Sequence, residues 1–148
     1  MKGMFLFLLA LFLGACAAAE NSANSAIVVR EAWVREPPGD HPITAAYMLI
    51  ENSSSEPVVL TGVDCAVAER VEIHLMQLKD GKMSMRQVDE LPVPAGGSAL
   101  LKPGGLHLML MGMQEAPKAG QELELRLHFA DGGQKTVLAM VRRGSYAD

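Results

Sequence analysis

Apolar and polar residues alternate with a period of two along most of this chain, in short runs separated by turn-forming residues. The clearest run is Gln121 to Phe129, where Leu123, Leu125, Leu127 and Phe129 alternate with Glu122, Glu124, Arg126 and His128. Such alternation is the mark of half-buried strands. Ile27 to Arg35 is β-branched and aromatic and is broken by Glu36-Pro37-Pro38-Gly39-Asp40. Ala45 to Glu51 ends at Asn52-Ser53-Ser54-Ser55, and Pro57 to Cys65 follows. Val71 to Leu78 and Lys82 to Val88 flank Asp80-Gly81, a two-residue hairpin signal. Ser98 to Leu101, the apolar run Leu106 to Met113 and the last run Gln134 to Arg142 complete the pattern. Eight or nine short strands with no amphipathic helix predict an all-β fold, an antiparallel β-sandwich or Greek-key barrel in a single domain. The segment Val67 to Val71 has room for one helical turn. No internal repeat is present.

The first residues break the pattern and read as a targeting segment. Lys2 precedes an unbroken apolar run from Met4 to Leu13, too short to span a bilayer and suited to a signal peptide. Leu13-Gly14-Ala15-Cys16 looks like a bacterial lipobox, which implies a signal over residues 1–15, cleavage before Cys16 and lipidation of its thiol. An ordinary secretory signal cleaved within Ala17-Ala18-Ala19 is the alternative. Either way the protein is expected on the exported, periplasmic side, and the lipobox predicts a membrane-anchored lipoprotein. Residues 16–26, small and polar, read as a flexible tether. Residues 27–142 form the predicted domain, with a short tail over 143–148.

Charge and cysteine content narrow the function. The formal charge is −4, and it becomes −5 once Lys2 leaves with the signal, 12 basic residues then facing 17 acidic ones. No basic patch appears, so nucleic acid is not an expected partner. With Cys16 lipidated or removed, Cys65 stands alone and cannot form an internal disulfide; its setting reads as a small buried hydrophobe.

Against this plain background, four metal donors stand out. His74 is followed after ten residues by Met85, and Met85 after twenty-one residues by His107, with Met109 two positions on. Period-two geometry puts Val71, Ile73 and Leu75 on one strand face, and Glu72, His74 and Met76 on the other. In the same way Leu106, Leu108 and Leu110 oppose His107, Met109, Met111 and Met113. Met83 and Met85 share a face, and the hairpin at Asp80-Gly81 brings their strand beside that of His74. Six methionines fall between Met76 and Met113. A methionine-rich strand is often core filler, but imidazole and thioether together suit copper, above all Cu(I). Zn²⁺ prefers thiolate, imidazole or carboxylate, and Ca²⁺ and Mg²⁺ prefer oxygen. No nucleophile elbow or acid–base pair is legible, so an enzyme is not expected.

The donors and their surroundings resemble a known family. His74, Met85, His107 and Met109 match, with both long gaps, the ligand motif of the bacterial periplasmic copper chaperones called PCu(A)C. Ala32-Trp33-Val34-Arg35, Ala45-Ala46-Tyr47-Met48, Val93-Pro94-Ala95-Gly96-Gly97 and Lys102-Pro103-Gly104-Gly105-Leu106-His107-Leu108-Met109-Leu110-Met111 also look like that family. The resemblance covers roughly Ile27 to Val141. It implies a cupredoxin-like β-sandwich that binds one Cu(I) at its surface, His74 and His107 as imidazole ligands and Met85 and Met109 as thioether ligands. It implies delivery to the Cu(A) centre of cytochrome c oxidase subunit II, with a thioredoxin-like copper-handling protein as a further partner. Met76, Met83 and Met111 are candidates for a supporting or alternative role. Some relatives carry a His/Met-rich C-terminal tail that can take Cu(II); this sequence ends Arg142-Arg143-Gly144-Ser145-Tyr146-Ala147-Asp148, so a second copper site of that kind is not expected, and His41 and His128 read as exposed. Two other readings stay open: an electron-transfer cupredoxin, which needs a cysteine thiolate, and a metal-free interaction lipoprotein.

Overall fold

The computed structural model describes residues 25–144. The expected signal peptide, Cys16, most of the expected tether and residues 145–148 lie outside them. Ten strands follow one another: β1 (Ile27–Arg35), β2 (Ile43–Asn52), β3 (Val58–Cys65), β4 (Arg70–Lys79), β5 (Lys82–Gln87), β6 (Leu91–Val93), β7 (Ser98–Leu101), β8 (Leu106–Met111), β9 (Glu122–Phe129) and β10 (Gln134–Arg142). Their hydrogen-bonded order is β5-β4-β8-β2-β1-β10-β9-β3-β6, with β7 also on β2. One pair, Val63 opposite Val71, links β3 back to β4. The strands therefore wrap around a single apolar core as the expected cupredoxin-like sandwich. The core draws on nearly every strand, with Val34, Ile50, Leu60, Val93, Leu108, Leu110, Leu125 and Leu127 fully enclosed.

Three departures from the expected pattern have physical causes. Neighbours are antiparallel except β1 and β10, which run parallel through Trp33–Met140, Val34–Val141 and Arg35–Arg142. A parallel pair needs a long connection, and here the intervening strands supply it. The one strand outside the expected set, β6, carries Pro92, which lacks an N–H; it is tolerated because β6 lies at a sheet edge on β3. The run Leu106 to Met113 does not stay a strand to its end. Gly112 turns at φ +71, and a Cβ there would meet the Glu69 side chain at 2.6 Å. Alternation is lost at that turn, so Met113 is buried in the core instead of sharing the face of His107 and Met109.

A bulge in β1 decides which of its residues face outward. The register with β2 shifts between Arg30 and Trp33, and Glu31 sits at φ 52. Before the bulge Ile27 points inward; after it Val34 does. One extra residue reverses the faces. Trp33 thereby moves to the outer face, opposite Tyr47. The hairpin between β4 and β5 turns at Asp80 (φ 51) and Gly81 (φ 74), the left-handed pair that a type I′ turn requires. It pairs Met76 with Met85 and Leu78 with Met83.

Candidate metal centre

The outer face of β5, β4, β8 and β2 carries the soft donors. His74 on β4 stands directly opposite His107 on β8, and Glu72 opposite Met109. Met76 stands opposite Met85 on β5, and Ala45 on β2 opposite Met109. Residues paired across strands project from the same face, so His74, Met85, His107 and Met109 share one surface. The inner face of the same β4–β8 pair holds Ile73, Leu108 and Leu110, all buried. Ala45 is small, and beside it lies a recess of about 110 Å³ whose walls include Arg35, Tyr47, Met76, Met85, His107 and Met109. His74 stands beside this recess and does not line it; its ring centroid is 5.9 Å from that of His107.

Each imidazole is held by one nitrogen. His107 Nδ1 lies 3.0 Å from the Gly105 carbonyl oxygen. A carbonyl can only accept, so Nδ1 carries the proton and Nε2 keeps its lone pair. Burial holds the His107 pKa below its ordinary value; the Gly105 bond works against this, and the nearby His74 and Arg35 add to it. The ring is therefore kept neutral, the form that binds a metal. His74 Nε2 lies 2.8 Å from Glu72 Oε2, and Glu72 Oε1 lies 3.2 Å from Arg70 Nε. In the neutral ring Nε2–H donates to the carboxylate and Nδ1 has the lone pair. That Nδ1 is buried with no hydrogen-bond partner. Leaving such an atom unsatisfied costs about 1–3 kcal/mol, and a metal ion is a partner that would satisfy it. Carboxylate and carbonyl groups that orient ligating histidines are the usual surroundings of metal sites.

The turn ahead of β8 builds part of this arrangement. Gly104 sits at φ +77, and Gly105 N–H donates to Lys102 O at 3.1 Å. This aims the Gly105 carbonyl at both the His107 ring and the Met76 N–H, the latter at 3.0 Å. Tyr47 extends the surface, its ring 6.4 Å from His107 and 4.6 Å from Trp33. Arg35 lies 5.3 Å from the Tyr47 ring and Arg142 4.8 Å from the Trp33 ring, within cation–π range.

The remaining candidates are dispersed. Met83 is 57% exposed near the hairpin tip, and Met111 has its sulfur 3.7 Å from Arg70 Nη2. His41 is exposed. His128, expected to be exposed, is half-buried, and its Nε2 lies 2.7 Å from Asp64 Oδ2. Cys65 is buried in the core on β3, and desolvation pushes its thiol pKa up. Among the described residues no group of three or more His, Cys, Asp or Glu side chains could hold a metal ion. On the outer face the soft donors beside the two imidazoles are thioethers. Glu72 and the Gly105 carbonyl were not foreseen. Glu72 lies two residues before His74 on a strand, and that spacing was the available signal.

Comparison with known proteins identifies the family of the chain. Residues 27–141 match the model of the family described as "Putative lipoprotein LpqE-like". The chain belongs to the LpqE-like family, of the PCu(A)C type. Among curated proteins, this LpqE-like chain is 30% identical over 140 residues to "Putative lipoprotein Lxx21020" of Leifsonia xyli subsp. xyli (strain CTCB07), covering 94% of this chain and 83% of that protein. It is similar to the solved copper-bound PCuAC domain from PmoF2, with 26% identity and a TM-score of 0.69 over 80% of this chain and 94% of that one. It is also similar to the solution structure of CuI-DR1885 from Deinococcus radiodurans, with 32% identity and a TM-score of 0.65 over 88% and 87% of the two chains.

Proposed function

We propose that this chain is an exported copper chaperone that binds one Cu(I) through His74, Met85, His107 and Met109. The observation that carries the reading is the pairing of two imidazoles, each with a lone pair left free by its hydrogen bond, on the face that also holds the thioethers. Relatives solved with copper support it. Two neutral imidazoles and two thioethers leave the ion at a single positive charge and suit a soft closed-shell cation. Thioethers cannot form disulfides in an oxidising compartment, where paired thiols would.

The same geometry supports delivery. Met85 is 44% exposed, so an acceptor's donor can reach the ion and displace ligands one at a time. The proposed acceptor is a membrane cuproenzyme, the Cu(A) centre of cytochrome c oxidase subunit II, with a thioredoxin-like copper-handling protein as a second partner. Residues 1–15 would act as the signal and Cys16 as the lipidated anchor. Residues 16–26 would be the tether, 27–142 the copper-binding domain and 143–148 a plain tail. Four protein ligands leave no open position for a substrate, so the chain is read as a carrier and not an enzyme. The electron-transfer alternative needs a thiolate ligand, and Cys65 lies buried in the core with its thiol form favoured.

Titration with Cu(I) against a competing chelator tests the reading. One equivalent should bind, and Met85→Leu with Met109→Leu should abolish competition. Unchanged affinity in that double variant would refute it and favour a metal-free interaction role. Transfer to an acceptor should outpace release to a chelator trap; equal rates would refute direct exchange.

A further inference from the structure

The recess and the histidine pair do not coincide, and Met76 lies where they differ. Met76 lines the recess together with Met85, His107 and Met109, whereas His74 stands beside it with Nε2 on Glu72. Met76 and Met85 are direct cross-strand partners on the outer face, a position that brings Cβ atoms to about 5 Å. The Met76 backbone is tied to the site, because its N–H and His107 Nδ1–H both donate to the Gly105 carbonyl at 3.0 Å. Its side chain is half-buried, while Met83 is 57% exposed and Met111 packs by Arg70. Neither of those two lines the recess.

We propose that Met76 is a fifth copper donor, which holds the ion with His107, Met85 and Met109 when His74 lets it go. This inference rests on the copper-chaperone reading of the same site. The exchange is a substitution of one lone-pair donor for another: a Cu–N bond to His74 breaks as a Cu–S bond to Met76 forms. Copper stays Cu(I), no proton leaves the thioether, and the freed imidazole keeps its Nε2–H bond to Glu72. A flexible, unbranched thioether is suited to such reach. With five donors for four positions, the chain can surrender one ligand to an acceptor without leaving the ion under-coordinated.

The test uses His74→Ala and His74→Ala/Met76→Leu, loaded with Cu(I) and compared with the unaltered chain. Copper K-edge absorption should count two sulfur neighbours in the unaltered chain and three in His74→Ala. His74→Ala should still bind one equivalent, with affinity lowered by no more than about 10-fold, and adding Met76→Leu should cost a further 100-fold or so. Two sulfurs in His74→Ala, with no added loss from Met76→Leu, would overturn the proposal and leave the four-ligand reading standing. Binding indifferent to Met85 and Met109 as well would overturn both. Should His74→Ala fail to fold, methionine-methyl NMR of His74→Gln decides: at one equivalent the Met76 signal should shift with those of Met85 and Met109. An unmoved Met76 signal would overturn the inference.

Discussion

The two faces of the β4–β8 pair are built from alternate residues of the same two strands, yet they have opposite chemistry. Inward, Ile73, Leu108 and Leu110 enter the common core. Outward, His74 and His107 face each other, with Met76 and Met109 on the same surface. The inner face contributes free energy by leaving water, about 1.5–3 kcal/mol for each large aliphatic side chain. The outer face holds groups that gain little from burial, one of them the unpartnered Nδ1 of His74. A two-residue period thus separates stability from ligand chemistry within a single strand pair, and substitutions should separate them too.

The largest effect should come from the inner face. Leu108→Ala or Leu110→Ala should lower unfolding free energy by about 2–5 kcal/mol, read from denaturant titration, with Cu(I) affinity of the folded fraction nearly unchanged. Next, Met85→Leu or Met109→Leu should reverse that pattern. Copper affinity should fall at least about 100-fold, about 2.7 kcal/mol, while stability shifts by less than about 1.5 kcal/mol. If the methionine variants unfold the chain and the leucine variants spare it, the separation of faces is wrong.

Glu72→Ala sharpens the comparison within the outer face. Removing the acceptor of His74 Nε2–H should free the ring to change tautomer and weaken Cu(I) binding by about 10-fold, in the range of other orienting groups. Imidazole ¹⁵N shifts of the apo protein should show the tautomer change at His74 and none at His107, whose partner is the Gly105 carbonyl. An unaltered His74 pattern would remove Glu72 from the site.

The smallest effect is a pH dependence of the apo fold. The His107 pKa lies below its unfolded value of about 6.5 because of burial. The unfolded chain therefore takes up this proton first. Its contribution to stability is complete above about pH 6.5 and is lost as pH falls toward the depressed folded value. Denaturant midpoints between pH 7.5 and 5 should drop accordingly, and His107→Gln, which takes up no proton, should show a shallower drop.

Where periodicity governs, the fold is legible in the chain of residues itself. The alternation of β9 and the Asp80-Gly81 turn both appear where expected, as does the shared face of His74, Met85, His107 and Met109. Features that depend on a single backbone irregularity are not legible in that way. The bulge at Glu31 carries no glycine to announce it, yet it decides that Trp33 faces outward beside Tyr47. Gly112 reads as part of an apolar run, and only its positive φ sends Met113 into the core. Pro92 argues against a strand unless the sheet edge is known. The supporting contacts of the site were hidden for a related reason. The carbonyl of Gly105 has no sequence signature, and Glu72 gains its meaning from a ring orientation that spacing alone does not give.

The most direct test is NMR of the chain labelled at imidazole nitrogens and at leucine and methionine methyls, titrated with Cu(I). At one equivalent, His74 Nδ1, His107 Nε2 and the Met85 and Met109 methyls should shift together, while the methyls of Leu108 and Leu110 stay in place. Saturation with these histidine nitrogens and methionine methyls unmoved would contradict the assignment of copper to the outer face.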